Sequence, residues 1–343
     1  MQHGNTVAAR TGEPVITASA LTKTYTFHRQ QPGLLASMRS VFRRTTETRL
    51  AVDAIDLQVH AGEVVGLLGP NGAGKTTTLK MLSGLLYPTS GHLAVLGHTP
   101  SKREVEYLRR ISLVMGQKSM LWWDVPAMDT FLLHKEMYGL SDHDLRQSID
   151  ELASMLEVGS LLNVQVRKLS LGERMKLELM TALLHRPDIV FLDEPTIGLD
   201  VVAKARVRGF LEEINRVRGT TILITSHDMD DIEALCDRVM IIDHGRIQYD
   251  GGLQALVRDV QPRKLVRASF ANPVRDLRHL EELGVTASAE DDDRVLGLEV
   301  SRDCLNEVLE LLPRLGTLLD LEVADADVEE IIRGLFLRGE VAS

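Results

Sequence analysis

Cysteine is nearly absent from the sequence. Only Cys236 and Cys304 occur in 343 residues, far apart and outside any Cys-x-x-Cys pattern. That excludes a disulfide framework or a thiolate zinc site and fits a reducing compartment. Long apolar runs are missing too: none approaches the ~20 residues that a membrane-spanning helix needs. The first twenty residues (MQHGNTVAARTGEPVITASA) lack the apolar centre of a secretion signal. Positive charge is in deficit, with 39 Lys+Arg against 49 Asp+Glu for a net charge of −10. A nucleic-acid-binding protein needs a basic footprint, so that partner is not expected. No internal repeat is visible. What remains is ordinary globular composition, 44% hydrophobic and 26% charged, in a chain long enough for one large domain and a small one. The expected location is the cytoplasm, at a membrane only if something else holds the chain there.

The organising stretch is residues 62–86, GEVVGLLGPNGAGKTTTLKMLSGLL. Val64, Val65, Leu67 and Leu68 form a short apolar run of buried-strand type. Helical spacing resumes at Leu79, Leu82, Leu85 and Leu86. Between them lies Gly69-Pro70-Asn71-Gly72-Ala73-Gly74-Lys75-Thr76, and Gly-x-x-x-x-Gly-Lys-Thr between strand and helix is a phosphate-binding loop. Its glycines let successive N–H groups turn inward on an anion, at the positive end of the following helix. Lys75 is expected to reach the terminal phosphates, the Thr76 hydroxyl to hold magnesium, and Thr77 to complete the contact.

The other elements fall in order around this loop. Residues 1–14 read as a disordered leader and Val15–Tyr25 as an edge strand. Residues 28–49 read as an insertion, in which Leu34, Leu35, Met38, Val41 and Phe42 recur at helical spacing beside Arg39, Arg43 and Arg44. A strand is expected over 50–60, others at 92–96, 111–115, 188–192 and 220–225, and a closing hairpin at 239–249. Residues 118–168 are patterned as helices. From 262 onward the order β-α-β-β-α-β, ending in a helix over 327–337, suggests a ferredoxin-like domain. Its acidic run 290–293 reads as a solvated hairpin tip rather than a metal site.

Five features stand in one order: Gly-x-x-x-x-Gly-Lys-Thr, Gln117, Leu169-Ser170-Leu171-Gly172-Glu173, Phe191-Leu192-Asp193-Glu194-Pro195, and Ser226-His227. Over about residues 15–255 the chain thereby resembles the ATP-binding cassette ATPases, the nucleotide-binding domains of ABC transporters. It looks most like the separate ATPase subunits of ABC-2-type exporters. The resemblance implies an α/β P-loop cassette over 15–258, with a RecA-like core, an antiparallel β subdomain and a helical subdomain, followed by the small α+β domain at 262–343. It implies ATP and Mg2+ as ligands. Asp193, ending a buried strand, can hold magnesium through its waters. Glu194, aimed differently by the backbone, is the expected base for the attacking water. Through the resemblance, Gln117 is a water or magnesium ligand, His227 a γ-phosphate contact, Asp200 part of the loop coupling two cassettes, and Tyr25 the aromatic that stacks on adenine.

Ser170 and Gly172 match the family's contacts to the partner's γ-phosphate, whereas Leu171 and Glu173 replace a glycine and a glutamine of its usual pattern. Ser170-x-x-Glu173 is equally a helix capping box, and the two readings are compatible. Because that signature acts on the partner's nucleotide in the family, the single set of motifs implies a dimer, with itself or with a homologous cassette, around two ATP molecules. The expected function is ATP hydrolysis driving a separate integral membrane permease, with export the expected direction, on the cytosolic face of a membrane. A soluble cassette ATPase without a permease and an ATP-sensing regulator are the alternatives. The basic amphipathic stretch 33–44 suits either an edge of the chain's own core or a boundary with anionic lipid.

Overall fold

The computed structural model describes residues 13–28, 46–116, 118–226, 228–260, 263–274, 277–290 and 293–325. Most of the 28–49 insertion, with its amphipathic stretch 33–44, lies outside the described residues, as do most of the leader, Gln117, His227 and the expected last helix 327–337. The chain divides into two compact units, Met1–Gly251 and Gly252–Ser343.

In the first unit, the apolar runs become the strands of a six-stranded sheet. They are β3 (Val64–Leu68), β5 (Ile111–Met115), β6 (Ile189–Asp193), β7 (Thr221–Thr225), β8 (Arg238–Asp243) and β9 (Arg246–Gly252), in the order β5-β6-β7-β3-β8-β9. From β5 to β8 each neighbouring pair is parallel. Continuous burial of these strands is what both-face coverage by helices requires. Their carboxyl ends are level: Met115 pairs with Asp193, Asp193 with Thr225, and Thr225 with Leu67. Ligands of open parallel sheets bind beyond that edge.

A second sheet has the order β2-β1-β4, built from β1 (Pro14–His28), β2 (Thr46–His60) and β4 (Ser90–Val95). The expectation of an edge strand at 15–25 is therefore corrected, because β1 is central. Ile16 pairs with Val59 on one side and Val95 on the other. Alternation along a strand reveals which face is buried, not how many neighbours it has. The insertion also begins and ends inside its expected limits, since His28 and Thr46–Arg49 are paired strand residues. Ile16, Leu21 and Val52 share one core with Leu67, Leu79 and Phe191, so the two sheets and the helix Lys75–Leu82 pack together.

The 118–168 stretch forms the helices Ala127–Tyr138 and Asp142–Leu156. No helix among the described residues is long and apolar enough to cross a membrane.

The second unit contains β10 (Arg263–Phe270), β11 (Thr286–Glu290), β12 (Val295–Ser301) and β13 (Leu318–Asp325), in the order β11-β12-β10-β13 with every pair antiparallel. The helices Arg278–Glu282 and Leu305–Leu315 complete the split β-α-β pattern, and Phe270, Leu298, Val308 and Leu312 lie in its core. The first of these helices begins only at Arg278. The Val274 N–H leaves the helical path and donates to the Asp293 carbonyl at 2.8 Å.

Candidate nucleotide-binding site

The loop Gly69–Thr76 leaves the end of β3 and is fixed by its surroundings. Gly74 adopts φ +112, and a Cβ there would lie 2.5 Å from the Ala51 carbonyl oxygen, so only glycine lets the loop lie against β2. The loop is also stitched to its neighbours through one residue. The Gly245 N–H donates to the Ala73 carbonyl at 3.0 Å, and the Asp53 N–H donates to the Gly245 carbonyl at 2.8 Å.

Lys75 begins the helix but is 6% exposed. Its ammonium donates to the Gly69 and Pro70 carbonyls. Burial lowers its pKa, while the charges of Glu194 and Asp193 oppose that shift, which places all three groups within electrostatic reach of one another.

At the ends of β6 and β7, one oxygen of Asp193 (Oδ1) accepts from the Thr76 hydroxyl at 2.9 Å and from the Thr225 hydroxyl at 2.8 Å. Glu194 has φ +52, uncommon for a residue with a side chain, and its N–H donates to the Thr225 carbonyl at 3.1 Å. Beside this turn, Glu194 lines two cavities. One, about 250 Å³, is lined by Tyr25, Arg49, Ala51, Pro70–Thr77 and Glu194. The other, about 550 Å³, lies between Asn71, Thr76, Met115, Gly116, Asp193 and Glu194.

Tyr25 is half-exposed, with the Lys23 ammonium 5.4 Å from its ring centroid. Lys23 is itself held by the Tyr87 carbonyl at 2.7 Å. The structure therefore brings Tyr25, the phosphate loop, Asp193 and Glu194 to one place. Arg49 joins them without having been expected there. Nothing in the sequence separates it from the other basic residues before Leu50, and only its pairing across from Tyr25 puts it in the cavity.

Ser170, Gly172 and Asp200 line neither cavity. Ser170 caps the helix Leu171–Leu183 in a full capping box: its hydroxyl accepts from the Glu173 N–H, and the Glu173 carboxylate accepts from the Ser170 N–H at 2.9 Å. The Ser170 N–H and hydroxyl, each donating to that carboxylate at 2.9 Å, hold the Glu173 carboxyl below its usual pKa. Asp200 caps the helix Val201–Arg218 through the Ala203 N–H at 2.8 Å. The two caps are neighbours, since a Cβ on Gly172 would stand 3.1 Å from the Ala203 Cβ and one on Gly198 3.1 Å from Leu171 Cδ2. Ser170, Leu171, Asp200, Val201 and Val202 are exposed.

The donors around Thr76 and Asp193 are all oxygen and suit a hard cation such as magnesium. No three His, Cys, Asp or Glu side chains converge among the described residues.

Gly116 packs under the site. Its N–H donates to the Asp193 carbonyl at 2.8 Å, and an added Cβ would lie 2.3 Å from the Glu194 carbonyl oxygen. Gly116→Ala should therefore displace the Glu194 turn and cost about 2 kcal/mol of stability. A melting curve that does not shift by several degrees would contradict this contact.

The sequence model of the ABC transporter family matches residues 52–197. The ABC transporter ATP-binding protein NatA of Bacillus subtilis is 37% identical over 227 residues, covering 66% of this chain and 92% of NatA. The Nod factor export ATP-binding protein I of Burkholderia thailandensis is 37% identical over 215 residues, covering 62% of this chain and 69% of that protein. Among solved structures, an ATP-binding subunit of an ABC transporter superposes with a TM-score of 0.59 at 24% identity, over 71% of this chain and 92% of its own. A dimeric ATP-binding cassette bound to ADP and Pi superposes with a TM-score of 0.57 at 24% identity, over 69% of this chain and 98% of its own.

Proposed function

The chain belongs to the ATP-binding, ATP-hydrolysing subunits of ABC transporters, and from that premise we propose that it closes as a dimer around two ATP-Mg to drive a separate membrane permease of exporter type. The observation that carries the dimer is the division of the site. The phosphate loop, Asp193 and Glu194 share cavities, whereas Ser170, Gly172 and Asp200 stand together on an exposed surface elsewhere. A second copy, or a homologous cassette, offering that surface to the first chain's nucleotide would complete each site.

Within it, Gly69–Thr77 would bind the phosphates and Thr76 and Asp193 would hold Mg2+, which would neutralise phosphate charge. Glu194 takes the proton of the attacking water, and Tyr25 stacks on the base. By the family resemblance, Gln117 and His227, outside the described residues, would act on the water, metal and γ-phosphate.

A groove of about 480 Å³ supports the permease. It runs between β5 and the helix Ala127–Tyr138, with Leu85, Val105, Leu113, Met120 and Met137 as apolar lining and Arg103, Arg109 and Lys118 around it. Val105 is 64% and Met137 61% exposed, so this apolar lining is open to solvent. A short amphipathic cytosolic helix of the permease, with acidic residues at its ends, fits that surface. The export names of the Nod factor relatives support the outward direction. The working location is the cytosolic face of a membrane, to which residues 33–44 would add a basic amphipathic contact.

Affinity capture of the tagged chain from detergent-solubilised membranes should recover a polytopic membrane protein. Val105→Glu with Met137→Glu should abolish that recovery while leaving the melting temperature in place. Recovery with ribosomes and no membrane protein would instead favour a soluble cassette ATPase.

A further inference from the structure

Arg49 stands on β2 directly across from Tyr25 on β1, and residues opposite each other in a sheet present their side chains on the same face. Both line the cavity over the phosphate loop. The guanidinium rests on the loop itself: its Nη2 lies 3.1 Å from the point a Cβ on Gly72 would occupy. Neighbouring arginines of the same unit are held by carboxylates, Arg246 by Asp53 at 2.6 Å and Arg238 by Asp250 at 2.7 Å. Among the described residues, Arg49 has no such partner.

We propose that Arg49 is a nucleotide-binding residue, holding the polyphosphate of ATP from the solvent side of the phosphate loop. The proposal rests on the ATP-binding reading above and adds a contact outside its motifs. Among the described residues, the cavity lining carries two cations, Lys75 and Arg49, and the backbone N–H groups of the loop, with Glu194 as its lining carboxylate. Two cations and N–H groups around one cavity suit a polyanion. Position narrows the contact further. Tyr25 marks the base end of the cavity and Lys75 the terminal-phosphate end. Arg49, against Gly72, reaches the α- and β-phosphates between them. A guanidinium fork matches two phosphate oxygens in a way that an ammonium does not. Its exposure limits the effect, because water screens the charge.

The test is equilibrium titration of the full chain with ATP, ADP and GTP, in wild type, Arg49→Met and Arg49→Lys, with steady-state ATPase alongside. Arg49→Met should weaken ATP and ADP by about tenfold and GTP by the same factor, and should flatten the salt dependence of binding. KM should rise with kcat nearly constant, the pattern of a contact made equally to ground and transition states. Arg49→Lys should fall between the two, and the nucleotide-free melting temperature should not move. Wild-type ATP affinity in Arg49→Met overturns the proposal, and so does a loss for ATP that GTP does not share, which would place the contact on the base. Absence of saturable ATP binding in the wild type, or binding indifferent to Lys75→Ala, overturns the ATP-binding reading itself and is distinguishable from either.

Discussion

The Glu194→Gln chain should bind ATP about as well as wild type, hydrolyse it at least ~100-fold more slowly, and accumulate as an ATP-bound dimer. The substitution keeps the shape of the side chain and removes only its ability to take a proton. Asp193 remains to accept from Thr76 and Thr225, so the pair proposed to hold the metal is intact. The left-handed turn at Glu194 belongs to its backbone and is anchored by the Thr225 carbonyl, so the amide enters the same two cavities. A 100-fold loss corresponds to about 2.7 kcal/mol of transition-state stabilisation, within the range of general base catalysis. Removing one negative charge beside the phosphates should favour the closed state, which size-exclusion chromatography with ATP would register. Turnover within a few-fold of wild type would remove Glu194 from the role of base.

Ser170→Arg should abolish hydrolysis while leaving nucleotide binding to the isolated chain nearly unchanged. The position lies outside both cavities, so the chain's own nucleotide does not meet it. On the surface shared with Asp200 and Gly172, a long cation would occupy the approach of the opposing γ-phosphate and prevent closure. The capping role sets the competing expectation. Loss of the hydroxyl that accepts from the Glu173 N–H costs about 1 kcal/mol and a small melting shift, with activity retained. Melting temperature and ATPase rate measured on the same preparation separate the two. Activity preserved in a slightly less stable chain would reduce Ser170 to a helix cap.

Much of this site was legible because it is built from local sequence. The apolar run at 64–68, the glycines that follow and the helical spacing after Thr76 define strand, loop and helix without tertiary information. The Ser170-x-x-Glu173 spacing likewise forms the box it encodes. What was not legible depends on pairing. Whether β1 has one neighbour or two is decided by the return of Ser90–Val95 to its far side, seventy residues downstream. Arg49 gains its position only when Thr46–His60 pairs with β1 in one register, and in sequence it merges with the basic stretch before it. The Gly116 contact is invisible for a related reason: its steric demand comes from Glu194, in the turn after β6, far along the chain.

The hydrogen-bonded stitch from Asp53 through Gly245 to Ala73 joins the sheet that carries Tyr25 to the loop that receives phosphate. On the proposed reading, the two halves of a nucleotide are met by one hydrogen-bonded platform. Once either end has landed, the other finds its site at high local concentration, as the second tooth of a chelate does. Adenosine and pyrophosphate added together should therefore bind far more weakly than the covalent molecule that joins them. The covalent link between base and phosphate becomes, for this protein, a source of affinity in itself.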